Sequence, residues 1–203
     1  PDYLSFQNEP GYVATWESCA WRPTEADGLP GYDQASEAIW NAIQGRPQVP
    51  MMIGPEVENI GQAGWDSSLN SFREFATPLK TQSWIGAYAY HIYDIYNSSQ
   101  IDGSISRLNM VRDEFGDKPN FMTEYSKEDF DWIDSAVVIH NTVVEANASA
   151  YVYWKLLWNA SPDTMIAVTS SGDYAVMPHY YTIKHFSKHV DKGYRRIGIS
   201  GGD

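Results

Sequence analysis

The chain has one cysteine, Cys19, in 203 residues, so it can form no internal disulfide framework and no zinc site built from several thiolates. Basic residues are scarce as well. Lys and Arg total 14 against 26 Asp and Glu, and the net charge of −12 offers a phosphate backbone nothing to bind. Nucleic acid is therefore not an expected partner. No run approaches the roughly 18 apolar residues of a membrane-spanning helix, so no membrane association is expected. The first residues lack the charged, apolar and small-residue succession of a signal peptide, and an opening at Pro1 rather than Met is expected of a processed or excised chain. The chain contains no internal repeat and no low-complexity segment. Aromatic residues, by contrast, are abundant. Eight Trp and 14 Tyr, within 43% hydrophobic residues overall, supply a real core. Flat rings on an acidic protein also suit a sugar-binding cleft, and composition alone does not choose between the two.

Short apolar or aromatic runs at 3–7, 49–53, 85–92, 120–123 and 150–154 alternate with segments of helical spacing, the pattern of strand–helix units and a parallel sheet. Between them, Ala35, Ile39, Ala42 and Ile43 share one helical face, as do Trp65, Leu69, Phe72 and Ala76. The same holds for Leu108, Val111 and Phe115, and for Ile133, Ala136, Val137, His140 and Val144. The spacing predicts a last helix over about 179–190 and the start of a further strand over 192–200. Ser170-Ser171-Gly172-Asp173 between two short runs predicts a small hairpin. The other long loop, 10–30, carries Trp16, Cys19 and Trp21.

The predicted fold class is α/β, a partial (β/α)-barrel of about five strand–helix units read as one domain over 1–203. A complete barrel of eight units needs about 250 residues, so about three units are missing. An open five-stranded sheet exposes both edges and the inner faces of its strands. A homo-oligomer or a complementing polypeptide is the expected partner.

Polar residues stand at the C-terminal end of nearly every predicted strand: Asn8 and Glu9, Glu56, His91 and Tyr93, Glu124, and Trp154 with Lys155. In a (β/α)-barrel, chemistry sits at that end. Glu9 and Glu124 each follow a strand directly and lie three strands apart. Cleaving a glycosidic bond needs one protonated and one ionised carboxyl on opposite sides of the anomeric carbon, about 5 to 5.5 Å apart if configuration is retained. Either glutamate alone reads equally well as a strand end in solvent or as a partner for a helix N-terminus.

Several segments taken in order carry a resemblance: Ser5-Phe6-Gln7-Asn8-Glu9-Pro10, Trp16-Glu17-Ser18-Cys19-Ala20-Trp21 with Pro23 and Glu25, Pro55-Glu56, Tyr90-His91-Ile92-Tyr93, Met122-Thr123-Glu124 and Ala150-Tyr151-Val152-Tyr153-Trp154. Together they resemble the retaining (β/α)8 glycosidases, and within that clan the xylanase-type branch of glycoside hydrolase family 30. The resemblance covers nearly the whole chain. It implies a partial (β/α)8 TIM barrel whose five units correspond to strands 4 to 8, with 193–203 turning toward a β side domain. It implies Glu9 as acid/base, Glu124 as nucleophile and Asn8 as donor to the sugar 2-hydroxyl. His91 and Tyr93 would hold the nucleophile ionised by hydrogen bonds and touch the sugar, and Trp154 would form the floor of the sugar site. Glu56 matches an acidic position of the family or makes a structural salt bridge, and Trp16 and Trp21 line the cleft or plug it. No metal and no cofactor are implied. The implied substrate is a polysaccharide or oligosaccharide, and secretion follows from such a polymer.

One departure bears on specificity. Members that recognise glucuronate carry an arginine after the last strand, suited to bidentate pairing with a carboxylate, whereas this chain reads Lys155-Leu156-Leu157-Trp158. Neutral β-1,4-xylan or xylo-oligosaccharides are therefore the expected substrates, with weak acid recognition left to Lys155. Two other readings stay open: a catalytically inert or carbohydrate-binding remnant, motivated by the missing units, and a β-glucan or glucosyl-conjugate hydrolase of the same family. The sequons at Asn97, Asn147 and Asn159 would fit a secreted protein but assign no source.

Overall fold

The computed structural model describes residues 1–15, 18–61, 71–159 and 161–198. Five strands, β1 (Tyr3–Leu4), β2 (Met51–Val57), β3 (Ile85–His91), β4 (Asn120–Glu124) and β5 (Ala150–Tyr151), lie in sequence order in one sheet, each parallel to the next. Helices α1 (Tyr32–Ile43), α2 (Ser71–Ala76), α3 (Ile105–Glu114) and α4 (Trp132–Glu145) fill the four crossovers. Beyond β5, a second sheet of β6 (Leu157–Asn159), β7 (Ile166–Val168) and β8 (Tyr174–Val176) precedes α5 (Pro178–Ser187). The fold is α/β, a partial (β/α)-barrel, as the alternation of runs predicts.

Strands three apart in a flat sheet are separated by about 14 Å. Yet the rings of Tyr3 on β1 and Phe121 on β4 meet edge to face, 5.2 Å between centroids. The sheet is therefore curled, with these two rings inside the curl. On the outer side, Phe72 of α2 packs edge-on against Tyr88 and Tyr90 of β3 and against Phe115 beyond α3, at centroid distances of 6.2, 5.3 and 5.0 Å. All four rings are buried. Strand alternation thus gives Tyr88 and Tyr90 to the helices and Ala87, Ala89 and His91 to the inside.

Three breaks in register shape the sheet. Between β2 and β3, Met52 pairs with Ile85 and Ile53 with Ala87, skipping Gly86; farther along, Pro55 pairs with Ala89 and Val57 with Tyr90, skipping Glu56. Between β3 and β4, Tyr90 pairs with Met122 and His91 with Glu124, skipping Thr123. Glycine is required at 86, because a Cβ there would lie 2.8 Å from the Met51 Cβ and 3.3 Å from the Tyr3 ring.

The expected hairpin is present. β7 and β8 pair antiparallel, and the turn is closed by Thr169 N–H on Asp173 O at 2.9 Å, with Gly172 at φ +86°. Leu108, Val111 and Phe115 are buried as their spacing predicts, while on α1 Tyr32 and Ser36 are buried and Ala42 is exposed. Phe72 and Ala76 are buried; Trp65 and Leu69 lie outside the described residues.

The helical face predicted for α4 is corrected. Ile133, Val137 and His140 are exposed, whereas Ser135, Val138, Ile139 and Thr142 are buried. This helix is apolar nearly all round, so period alone does not choose its core side. Its buried polar groups satisfy themselves: Thr142 Oγ1 donates to Val138 O at 2.8 Å, and Ser135 Oγ meets His179 Nδ1 of α5 at 3.1 Å. The strand expected from 192 is also absent over 192–198, where Tyr194 and Ile197 are exposed. No strand among the described residues pairs with this segment, and an unpaired strand leaves its backbone groups unsatisfied; residues 199 and 200 lie outside the described residues. No helix among the described residues is long and apolar enough to cross a membrane.

Candidate active site

At the C-terminal end of the curled sheet the backbone turns several acidic side chains toward one histidine. Glu9, five residues beyond β1, has φ 48°, and its N–H donates to the Glu56 carbonyl at 2.9 Å. Glu56, the residue skipped in the β2–β3 register, has φ 61°. A non-glycine residue in this left-handed region costs about 1–3 kcal/mol, and bulges beside functional sites serve to re-aim a side chain. Here both carboxylates converge on His91. Glu9 Oε1 lies 3.0 Å from Nδ1, and Glu56 Oε2 lies 3.5 Å from Nε2, an ion-pair contact too long for a good hydrogen bond. The break at Thr123 brings Glu124 level with His91, and Tyr93, just past β3, donates its hydroxyl to Glu124 Oε1 at 2.9 Å. One oxygen each of Glu9 and Glu124 and a ring nitrogen of His91 all lie within 4.8 Å of one another.

The electrostatics follow from burial and crowding. Burial alone would favour neutral His91, but the Glu56 and Glu9 carboxylates on its two nitrogens, with Glu124 nearby, outweigh it and push the ring up to about 9. At neutral pH this is a buried imidazolium. Glu124 is raised above the ordinary carboxylate value chiefly by burial, with Glu9 and Glu56 adding to the effect and the imidazolium and the Tyr93 hydroxyl opposing it. Of the two donors expected to keep Glu124 ionised, Tyr93 is hydrogen-bonded to it and His91 acts only through its charge, and burial outweighs both. Burial, then the Glu124 charge, hold the Tyr93 hydroxyl far above its usual range, so it stays a donor at any working pH.

Sequence reasoning missed Glu58. It follows β2, its carbonyl accepts the Tyr93 N–H at 3.1 Å, and burial followed by the charge of Glu9 pushes its carboxyl up to about 7. The signal was the Glu56-Val57-Glu58 spacing, two carboxylates at strand period where a strand ends.

Of the predicted residues, the structure brings Glu9, Glu56, His91, Tyr93 and Glu124 together. The hydrogen bond of His91 goes to Glu9 rather than to Glu124, which it reaches through charge. Asn8 adjoins Glu9 and is exposed. Trp154 is 43% exposed, and its N–H donates to Tyr125 O at 3.1 Å, one residue past Glu124. Trp21 is half-buried and edge-on to Phe6 at 6.1 Å, part of the packing behind β1; Trp16 lies outside the described residues.

Glu9, His91 and Glu124 are close enough to offer three ligand atoms to a cation. The same three groups can also hold and pass a proton. Two carboxylates with oxygens within 4.8 Å of each other, beside a histidine, form a coupled cluster that can hold and release protons.

Curled sheet and parallel strand–helix order together define part of a (β/α)-barrel, with the carboxylate cluster at the C-terminal ends of its strands. No protein-family model and no curated sequence matches the chain. Among solved structures it is similar to a conserved exported protein from Bacteroides fragilis, with a TM-score of 0.75 and 17% identity over 98% of this chain and 49% of that one. It is also similar to a GH30 endoxylanase from Clostridium papyrosolvens C71, with a TM-score of 0.67 and 19% identity over 97% of this chain and 43% of the other. The catalytic domain of GH30 xylanase C from Talaromyces cellulolyticus gives a TM-score of 0.62 and 17% identity over 92% and 41%. At these identities the likeness is one of fold, and the chain spans less than half the length of each.

Proposed function

We propose that the chain carries strands 4 to 8 of a retaining glycoside hydrolase acting on β-1,4-xylan or xylo-oligosaccharides. In this reading Glu9 passes a proton, drawn from the His91 imidazolium 3.0 Å away, to the leaving oxygen while the ionised form of Glu124 attacks the anomeric carbon and forms a glycosyl ester. Esterification removes the charge of Glu124, and Glu9, beside the now neutral His91 ring, is left as the base that takes a proton from water in the second displacement and returns it to the Glu9–His91 pair. Tyr93 orients the nucleophile, and Asn8 and Trp154 border the sugar. The single observation that carries the reading is the pair of carboxylate oxygens within 4.8 Å at the ends of strands three apart. Fold similarity to GH30 xylanases supports it. A polymer substrate makes secretion the expected location.

Reducing-sugar release from neutral xylan and glucuronoxylan by the purified chain, beside Glu124→Gln, tests the proposal. Release from the parent chain and none from a variant with unchanged far-ultraviolet circular dichroism is expected. Equal release from both would sink the assignment. The open half-barrel favours a second reading, a carbohydrate-binding remnant. It predicts saccharide binding with no release by either protein.

A further inference from the structure

We infer that Gly61, Asp94 and Arg107 form a clasp that sets the hydroxyl of Tyr93 on Glu124, with Asp94 and Arg107 acting as positioning residues for the nucleophile. The inference rests on the glycosidase reading above and deepens it, because it assigns what holds the nucleophile's hydrogen-bond donor in place. β3 ends at His91, so Tyr93 stands on loop backbone rather than in the sheet. Its hydroxyl nevertheless meets Glu124 Oε1 at 2.9 Å. A donor carried on a loop serves catalysis only where its neighbours fix the loop. The residue next to it does so. Asp94, 8% exposed, accepts from the Gly61 N–H at 3.0 Å and pairs with Arg107 Nε at 2.8 Å, both through Oδ2. One carboxylate oxygen thus ties the segment after β2 and the start of α3 to the residue beside Tyr93. On either side of it, the Tyr93 N–H donates to Glu58 O at 3.1 Å and the Tyr125 hydroxyl donates to Ile95 O at 2.6 Å.

Two features set the clasp apart from ordinary packing. Arg107 sits in the first turn of α3, where the helix dipole disfavours a cation and no acidic residue accompanies it. Asp94 is the partner that offsets this, and a buried carboxylate is in turn kept only where it is paired. Gly61 shows how closely the three meet, since a Cβ there would lie 2.6 Å from both Asp94 Oδ2 and Arg107 Cδ. Both atoms belong to side chains that can swing away, so an alanine displaces them rather than the backbone. Gly61→Ala therefore opens the clasp without changing any charge.

The test pairs a spectroscopic with a kinetic measurement on the full chain, each variant first checked for unchanged far-ultraviolet circular dichroism. With tyrosine isotopically labelled at the ring carbon bearing the hydroxyl, the magnetic resonance signal that disappears in Tyr93→Phe reports the hydrogen bond to Glu124. Gly61→Ala and Arg107→Gln should shift that signal toward the position of a water-exposed tyrosine, and Arg107→Lys should keep it near the parent's. In steady-state kinetics on xylotetraose, Gly61→Ala and Arg107→Gln should lower kcat about tenfold at nearly unchanged KM, and Arg107→Lys should recover most of the loss. Neither should lower kcat further in a Tyr93→Phe background, because the effect runs through Tyr93. An unmoved signal in both Gly61→Ala and Arg107→Gln, a change in Tm alone, or an equal loss of kcat with and without Tyr93 would overturn the clasp. A shifted signal in variants of a parent chain that releases no sugar would uphold the clasp and count against the glycosidase reading. Sugar release by the parent with the signal unmoved in every clasp variant would do the reverse.

Discussion

His91 is a buried cation that exists because two glutamates, each with a left-handed backbone, surround it. That arrangement predicts a pH dependence with a definite sign. Its folded value of about 9 lies above the ordinary histidine value near 6.5. The associated stability is therefore fully present below about pH 6.5 and is lost as pH rises through about 9, an effect of about 3 kcal/mol. Glu58, raised to about 7, acts in the same direction at lower pH, because the folded state holds its proton longer than the unfolded chain does. Urea midpoints measured from pH 4 to 10 should fall in two stages. Glu58→Gln should flatten the stage below pH 7, and His91→Gln the one between 6.5 and 9; a flat profile in the parent protein would refute the buried imidazolium. The proposed acid has its own signature. Glu9→Ala should slow hydrolysis of unactivated xylo-oligosaccharides by about 10²–10⁴, but affect an aryl xyloside with an acidic phenol far less, since that leaving group needs no proton. An equal loss on both substrates would remove Glu9 from the acid role.

Among the elements, β3 and β4 were legible because each is a short run of β-formers ending in polar residues, and the hairpin because Gly172 sits where its turn needs a positive φ. The breaks at Glu56 and Thr123 were not legible. A register shift depends on how neighbouring strands meet, and no local pattern along one strand encodes it. Hence Glu9 and Glu124 could be named from the sequence, while the seating of Glu56 against His91 and the acidity of Glu58 could not. The core side of α4 was misread because Trp132, Ile133, Val137, Val138 and Ile139 put apolar groups on most of its circumference. The packing that holds the site in place is sharper. Phe72 touches the rings of Tyr88, Tyr90 and Phe115 and is fully buried. Phe72→Ala should cost about 3–5 kcal/mol in urea denaturation; a loss below 1 kcal/mol would mean that α2 is not docked on β3 in solution.

The whole molecule carries more surface than its mass warrants. A folded monomer of 22.9 kDa exposes about 9,600 Å², whereas this chain exposes 11600 Å². The excess of about 2,000 Å² is more than twice what one partner buries in an ordinary stable interface. Much of it has an identifiable origin: Tyr3, Met51 and Val152 on the five-stranded sheet and the strand run-out are 41%, 37% and 51% exposed, and β1 and β5 are open edges of only two residues each. Short edges limit pairing with foreign strands, but they do not cover the inner face. The chain on its own is therefore expected to self-associate, with light-scattering mass rising across concentration. A polypeptide supplying three further strand–helix units, fused or added in trans, should return it to a single species, raise Tm, and increase sugar release if the carboxylate pair is catalytic. A strictly monomeric chain whose Tm ignores the added units would mean that the five strands close their inner face unaided. In that case the open curl described here would not be the state in solution.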